Sequence, residues 1–96
     1  MSGFILGVGA VLFCCGLAAV VFRRELLAML LGLELMITAV NVILVYHAFG
    51  DPEAQAAALL IIAIAAAEAV VGLALILRVT RLGRDPETSA LQELRG

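Results

Sequence analysis

Residues 26–49 read LLAMLLGLELMITAVNVILVYHAF, an apolar run in which Glu34 is the only acidic side chain. A run of this length can cross a membrane as a helix, because a hydrocarbon core about 30 Å thick needs roughly 20 residues at about 1.5 Å each. Two further apolar runs, at residues 3–22 and 54–77, lie on either side of it. The sequence therefore predicts an all-α membrane protein with three transmembrane helices.

The composition indicates the same fold class. Of the 96 residues, 65% are hydrophobic, and the mean hydropathy of +1.19 excludes an ordinary soluble domain. The three runs leave no sequence for a second folded domain, so we expect one transmembrane domain over residues 1–82 and a cytoplasmic tail over residues 83–96. Asp85-Pro86-Glu87 in this tail could begin a short helix, which would be marginal without a partner.

The basic residues are unevenly distributed among the loops. The first loop holds Arg23 and Arg24, and further arginines follow the third span, whereas the second loop holds only Asp51 and Glu53. Cytoplasmic loops of membrane proteins carry the excess of basic residues. We therefore expect the first loop and the C-terminus to be cytoplasmic, and the N-terminus and the second loop to lie on the opposite face.

The second loop and the first span contain residues with recognisable local roles. Asp51-Pro52-Glu53 is typical of a helix start, with an N-cap, a proline at the first helical position and an acid in the first turn. Gly3 and Gly7 form a G-x-x-x-G pair, which favours close helix packing. Small residues continue through the first span at Gly16, Ala18 and Ala19. We expect a neighbouring helix to approach closely on this side.

The sequence contains no motif of a redox or catalytic centre. No metal-ligand spacing, phosphate-binding glycine loop or nucleophile–base arrangement occurs. Cys14 and Cys15 are adjacent and point to different faces of a helix, so we expect them to be buried packing residues. We interpret His47, beside Tyr46, as an interfacial residue.

Two acidic residues within the spans are the candidate functional residues. Glu34 lies ten residues after Arg24, and Glu68 lies ten residues before Arg78. At about 1.5 Å per residue, both carboxyl groups would lie about 15 Å from the same boundary, near the middle of the hydrocarbon core. An ionisable group at that depth is costly and usually serves a function.

The surroundings of the two glutamates suit proton transfer. At about 100° per residue, Thr38 and Asn41 lie on the same face as Glu34 and form a possible polar stripe that could hold water. Glu68 lies beside the small Gly72, where another helix can approach closely. Because desolvation disfavours the charged form of a carboxyl group, a carboxyl in such a setting can exchange protons near neutral pH.

An alternative interpretation is that each glutamate is a protonated structural residue, hydrogen-bonded to a neighbouring helix. The chain has no lysine, and every arginine lies in a loop or in the tail, so a countercharge must come from a partner subunit. Three helices cannot by themselves surround two such carboxyl groups and a water path. We therefore expect a larger membrane assembly.

In these residues the chain resembles a known family, subunit K of the bacterial proton-pumping NADH:quinone oxidoreductase, or complex I, whose mitochondrial counterpart is subunit 4L. The resemblance covers nearly the whole chain. It rests on Gly32-Leu33-Glu34-Leu35-Met36, Ala39 to Asn41, Ala65-Ala66-Ala67-Glu68-Ala69 with Gly72-Leu73, the Arg23-Arg24 loop and Leu94-Arg95-Gly96.

The resemblance implies a multi-pass protein of a bacterial cytoplasmic (inner) membrane. Glu34 and Glu68 would belong to a chain of buried ionisable residues that links the quinone end of the membrane arm to its antiporter-like subunits, with Glu34 the more critical. The family commonly has asparagine at the position of Thr38, so Thr38 is not expected to be a required relay.

The resemblance also implies where the cofactors are. Such a subunit has no active site of its own and binds no cofactor, because NADH, FMN, iron–sulfur clusters and quinone belong to partner subunits. The expected partners are the antiporter-like and quinone-site subunits and the lipid bilayer, with no nucleic acid among them.

Two other classes of protein stay open at this point. The nearest is the C subunit of multisubunit sodium/proton antiporters, or a corresponding subunit of a membrane-bound hydrogenase, although the paired glutamates argue against the antiporter subunit. A different class is a small self-assembling membrane protein, such as a rotor-ring proteolipid or a holin. Three spans with two acids at matched depth fit neither of these well.

Overall fold

Three α-helices follow one another in the computed structural model, which describes residues 2–83. Helix α1 spans Ser2–Phe22, α2 spans Leu26–His47 and α3 spans Pro52–Arg81. Each of the three is long and apolar enough to cross a membrane. The predicted all-α fold with three membrane-length helices is therefore confirmed. The short helix predicted to start at Asp85 lies outside the described residues.

Helix α3 is longer than a membrane requires. Its 30 residues extend about 45 Å at about 1.5 Å each, whereas the apolar run that predicts it covers residues 54–77. Hydropathy marks where a chain leaves the hydrocarbon, and a helix can continue past that point. Arg78 and Arg81 accordingly lie in its last turn, where basic side chains interact favourably with the helix dipole.

The turn between α2 and α3 is closed by the residues that predict it. The Oδ1 atom of Asp51 accepts hydrogen bonds from the backbone N–H groups of Glu53 and Ala54, at 3.1 and 3.5 Å, so Asp51 is the N-cap of α3. Gly50 adopts a φ of +86°, which side chains with a Cβ atom rarely adopt. The N–H of Asp51 donates to the carbonyl of Ala48 at 2.9 Å. So short a turn makes α2 and α3 antiparallel neighbours.

Helices α1 and α2 pack together through glycines. Gly16 meets the backbone of α2, since a Cβ atom on Gly16 would lie 2.5 Å from the carbonyl oxygen of Gly32. Seven residues earlier, a Cβ atom on Gly9 would lie 2.5 Å from Cδ1 of Ile43. The predicted close approach of the first span therefore occurs, and it is centred on Gly9 and Gly16.

The G-x-x-x-G pair of α1 takes no part in this packing. Among residues 2–83, no atom outside the local helix lies within 4 Å of a Cβ position at Gly3 or Gly7. The prediction that this pair makes a close helix contact is wrong for the contacts within residues 2–83. These two glycines lie about 120° and 160° around the helix from Gly9, away from the face that meets α2.

The contact between α2 and α3 sets the level of the two acidic residues. A Cβ atom on Gly72 would lie 2.8 Å from Cδ1 of Leu30, so these residues face each other. Because α2 and α3 are antiparallel, the residue one turn towards the C-terminus of α2 faces the residue one turn towards the N-terminus of α3. Glu34 follows Leu30 by four residues and Glu68 precedes Gly72 by four, so the two glutamates lie at the same level.

Few side chains are buried between the helices. Helix α2 lies between α1 and α3, which make little direct contact with each other. Within the described residues, the buried hydrophobic side chains are Ala39, Ala48, Ala58 and Val79. Cys14 and Cys15 are exposed, so the expectation that they are buried packing residues is wrong for this chain alone. Most of the apolar surface faces outward, where lipid or partner helices cover it.

Candidate functional site

Glu34 lies on the side of α2 that faces away from α1. It follows Gly32, the contact point with α1, by two residues, which turns its side chain about 160° from that contact. The side chain is half-buried, and its Oε1 atom is shielded from solvent without a hydrogen-bond partner in residues 2–83. Buried polar atoms are nearly always hydrogen-bonded, so this oxygen indicates a donor other than the described residues, such as water or a partner subunit.

Two clefts between α2 and α3 meet at Glu34. The first has a volume of about 680 Å³, contains Thr38 and Asn41, and extends along α2 to Tyr46. We call it the asparagine cleft. Helix α3 forms its opposite wall, where Ala65 is one of the lining residues.

The second cleft brings the two glutamates together. It has a volume of about 750 Å³, contains both Glu34 and Glu68, and extends along α3 to Leu75. We call it the glutamate cleft. Of the described residues, only Glu34 and Ile37 line both clefts, so Glu34 is the polar residue at their junction. Glu68, in contrast, is exposed on the surface of α3.

Thr38 and Asn41, which line the asparagine cleft beyond Glu34, differ in their hydrogen bonds. The Thr38 hydroxyl donates to the backbone carbonyl of Glu34 at 2.8 Å and keeps its lone pairs free to accept. Asn41 is 8% exposed, and its Oδ1 atom has no hydrogen-bond partner in the part of the chain that the structure describes. Water or a donor from a partner must satisfy Asn41, as it must satisfy Glu34.

The basic residues of the first loop lie away from the two glutamates. Arg23 and Arg24 are exposed and begin the α1–α2 connection, which Glu25 ends. The Arg23 guanidinium lies 3.9 Å from the Glu25 carboxylate, and both side chains are largely exposed, so this ion pair contributes little. The spans of α2 and α3 contain no lysine or arginine between residues 26 and 77.

The end of the asparagine cleft carries an aromatic pair. The rings of Tyr46 and His47 meet edge to face, with centroids 5.3 Å apart. Nδ1 of His47 donates to the carbonyl of Ile43 at 2.9 Å, and a carbonyl can only accept, so this nitrogen carries the proton. Among residues 2–83, no three His, Cys, Asp or Glu side chains come together as a metal site.

This arrangement can hold and pass on a proton. A carboxyl group can carry a proton and can donate it as a hydrogen bond, or accept hydrogen bonds when it is ionised. Waters bound along a cleft can extend such an exchange over distances that no single side chain covers. Glu34 would join a path through the asparagine cleft to a path through the glutamate cleft.

Comparison with known proteins identifies the family. The family model described as NADH-ubiquinone/plastoquinone oxidoreductase chain 4L matches residues 4–96. The chain belongs to this family. NADH-quinone oxidoreductase subunit K 2 of Aquifex aeolicus (strain VF5) is 45% identical over 93 residues, which cover 95% of this chain and 91% of the relative.

Two further relatives carry the same kind of name. Subunit K 1 of NADH-quinone oxidoreductase from Syntrophobacter fumaroxidans (strain DSM 10017 / MPOB) is 40% identical and covers 93% of this chain and 91% of the relative. Subunit K from Pseudomonas fluorescens (strain SBW25) is 37% identical, with coverages of 95% and 91%. The family that the sequence resembles is thus confirmed, as a membrane subunit of the multisubunit NADH-quinone oxidoreductase. The antiporter, hydrogenase and self-assembling alternatives are not favoured.

Helical spacing places Leu30 on the Glu34 side of α2, but Leu30 was not predicted to line the site, as it does in the glutamate cleft. It is one of many leucines in α2, so its residue type carries no signal. The spacing carries a signal, however. Leu30 precedes Glu34 by four residues, and Gly72 follows Glu68 by four residues. This symmetry predicts a contact only if α2 and α3 are antiparallel and the glutamates lie at one level.

Proposed function

We propose that the chain is a membrane-arm subunit of a proton-translocating NADH:quinone oxidoreductase, in which Glu34 and Glu68 transfer protons along the coupling axis. The observation that carries the proposal is the position of Glu34, which lines both clefts and has a shielded carboxyl oxygen without a partner. If Glu34 served only to link α2 to α3, its carboxyl group would accept a hydrogen bond from a donor on α3. Within the described residues, α3 supplies none.

The glutamate cleft supports a shared role for the two carboxyl groups. Glu34 and Glu68 line it together and lie at one level, one turn from the contact between Leu30 and Gly72. Two carboxyl groups that line one cleft can pass a proton between them through bound water. Electron transfer in the complex would act on this pair by rearranging charge and water around it.

The asparagine cleft provides the second direction of transfer. Thr38 and Asn41 line it beyond Glu34, and the Oδ1 atom of Asn41 lacks a donor within the described chain. Waters along this wall would accept from one group and donate to the next. Thr38 contributes a lone pair at most, because its proton is already donated to the backbone.

Partner subunits complete this site. The chain has no lysine, and both clefts open at the surface of a thin three-helix body, so donors and countercharges must come from neighbours. These neighbours are the antiporter-like and quinone-site subunits of the membrane arm. They also hold the redox chemistry, with NADH, FMN, iron–sulfur clusters and quinone bound elsewhere in the complex and no active site in this subunit.

The arginine distribution supports one orientation. Arg23 and Arg24 precede α2, and Arg78 and Arg81 end α3, so all four lie at the same end of the helices. We place this end in the cytoplasm, together with the tail that follows residues 1–82, in a bacterial cytoplasmic membrane. The N-terminus and the turn that contains Asp51 then lie on the opposite face.

Replacement of Glu34 tests the function directly. Glu34→Gln keeps the shape and the hydrogen-bonding capacity of the side chain but removes its titration. We expect the complex to assemble and to reduce artificial electron acceptors, while proton pumping and the quinone reduction coupled to it are lost. The measurement is proton uptake in inverted membrane vesicles at matched content of complex.

A matched control is Glu53→Gln, which removes an exposed carboxylate in the first turn of α3, outside the clefts. It should leave pumping unchanged. Full pumping by an assembled Glu34→Gln complex would show that Glu34 is structural and would end the proposal.

A further inference from the structure

Helices α2 and α3 meet closely one turn away from the two glutamates. A Cβ atom on Gly72 would lie 2.8 Å from Cδ1, 3.1 Å from Cδ2 and 3.5 Å from Cγ of Leu30. One helical turn is about 3.6 residues, so Glu34 lies almost directly above Leu30 on α2, and Glu68 lies in the same way relative to Gly72 on α3. The contact and the carboxyl pair form two adjacent levels of one interface.

Leu30 and Gly72 also form the walls of the site. Both line the glutamate cleft together with Glu34 and Glu68. Both also line a smaller groove of about 220 Å³ that extends to Val79. A change in the position of Leu30 therefore changes the space beside the carboxyl groups.

We infer that Gly72 is a positioning residue, whose missing side chain lets Leu30 seat against α3 and so sets the separation of the Glu34 and Glu68 carboxyl groups. This inference rests on the proposed proton-transfer role of the two glutamates. Cβ atoms essentially never lie under 3.0 Å from another heavy atom, so an alanine at position 72 requires the end of the Leu30 side chain to shift. A side chain at position 72 displaces the end of the Leu30 side chain, which lines the glutamate cleft, or pushes α3 away from α2.

The contact at Gly72 differs in kind from the contact at Gly16. Gly16 lies against the backbone of Gly32, which cannot yield without separating the helices. Gly72 lies against the end of the Leu30 side chain, which a smaller side chain can replace. Damage at Gly72 should therefore be repairable by a change at Leu30, and this gives the inference a specific test.

The first variant is Gly72→Ala. Alanine is a better helix former than glycine, so α3 itself is not weakened. We expect normal amounts of assembled complex and normal reduction of artificial acceptors, but at least about a threefold loss of proton pumping coupled to quinone reduction, because transfer depends on placement to about 1 Å. Gly7→Ala is the control, since among the described residues no atom outside the local helix lies within 4 Å of its Cβ position.

The second variant adds Leu30→Val to Gly72→Ala. One carbon atom is gained on α3 and one is lost on α2, so the volume of the contact is conserved, and volume-conserving changes are tolerated best. We expect pumping to return to within about twofold of the wild-type value. Leu30→Val alone should have a smaller effect than Gly72→Ala alone.

A third comparison separates positioning from general packing. If Gly72 acts by placing Glu68, then Gly72→Ala should reduce pumping much less in a Glu68→Gln background than in the wild type. Three results would overturn the inference. Gly72→Ala could pump normally, it could fail to assemble, or the added Leu30→Val change could fail to restore its pumping. Full pumping in Glu34→Gln would instead remove the proposed relay, so the two failures are distinguishable.

Discussion

The two glutamates differ as single residues. Glu34 lines both clefts and has a shielded oxygen, whereas Glu68 lines one cleft and is exposed at the surface of α3. Loss of a proton-carrying group at the junction of the two clefts would interrupt transfer through both clefts. A group on one branch interrupts only that branch, and a water or a partner side chain can substitute for it.

A double replacement tests whether the glutamates share one relay. We expect Glu68→Gln to reduce pumping less than Glu34→Gln, and we expect the double variant to be scarcely worse than Glu34→Gln alone. A relay that is already interrupted loses little by a second interruption, so the effects should be non-additive. Initial rates of proton pumping in vesicles, at equal content of complex, give the comparison. Losses that multiply would indicate two independent pathways.

The residues of the site were predictable from the sequence, but the hydrogen bonds that their side chains make were not. Apolar surroundings marked Glu34 and Glu68, and helical spacing placed Thr38 and Asn41 on the same face as Glu34. Hydrogen bonding depends on rotamers, which spacing does not determine. The Thr38 hydroxyl donates to the backbone of its own helix, and the Asn41 amide oxygen is left without a donor in the described chain.

Packing of α1 on α2 depends on which face of α1 is used. Gly9 and Gly16 are seven residues apart, which is about two turns, so they lie on one stripe of the helix. Gly16 lies against the backbone of Gly32 and Gly9 against the Ile43 side chain, each so closely that an added Cβ atom would force a shift. Without the bulk of side chains, the two backbones approach and gain dispersion contacts, which are a main source of helix association in lipid.

Overpacking at this contact tests its importance. Gly16→Val would place its Cβ atom 2.5 Å from the carbonyl oxygen of Gly32 and force α1 and α2 apart. We expect a cost of about 1–3 kcal/mol, seen as less assembled complex and a lower thermal midpoint. Gly7→Val, on the open side of α1 in the described chain, is the comparison. Equal yield and stability of the two variants would contradict the packing described here.

The positions of the helices in the sequence were more predictable than the faces through which the helices pack. Long apolar runs and the Asp51 cap indicated three helices and one of the turns, because hydropathy and capping are local properties. Helix α1 is apolar on all sides, so its sequence does not mark the face that meets α2. The choice of Gly9 over Gly7 therefore depends on how the two helices cross, which is a property of the pair.

The whole molecule is thin, with dimensions of 50 × 24 × 18 Å. Large apolar side chains such as Phe4, Leu59 and Val70 are exposed. A three-helix layer with so little interior can hold its own backbone geometry, but it cannot seal two carboxyl groups from lipid. Its role as one subunit among several follows from this shape as much as from its family.

Labelling of single cysteines tests the orientation of the whole molecule. In a background with Cys14 and Cys15 replaced by alanine, a cysteine at Gln55 should react with a membrane-impermeant reagent added from the non-cytoplasmic side. A cysteine at Ser89 should be spared, because the arginine-rich end of the chain is expected in the cytoplasm. Mass spectrometry of the labelled subunit gives the extent of reaction. The reverse pattern would invert the topology.

The facing pair of Leu30 and Gly72 has a consequence for how the length of this chain can change. An extra residue in the turn around Gly50 can bulge outward, and the interlocked side chains still hold both carboxyl groups at one height. An extra residue between Leu30 and Glu34 would instead rotate the carboxyl by about 100° and raise it by about 1.5 Å. We therefore expect an insertion in the turn to be tolerated better than one in the four-residue intervals that separate Glu34 from Leu30 and Glu68 from Gly72.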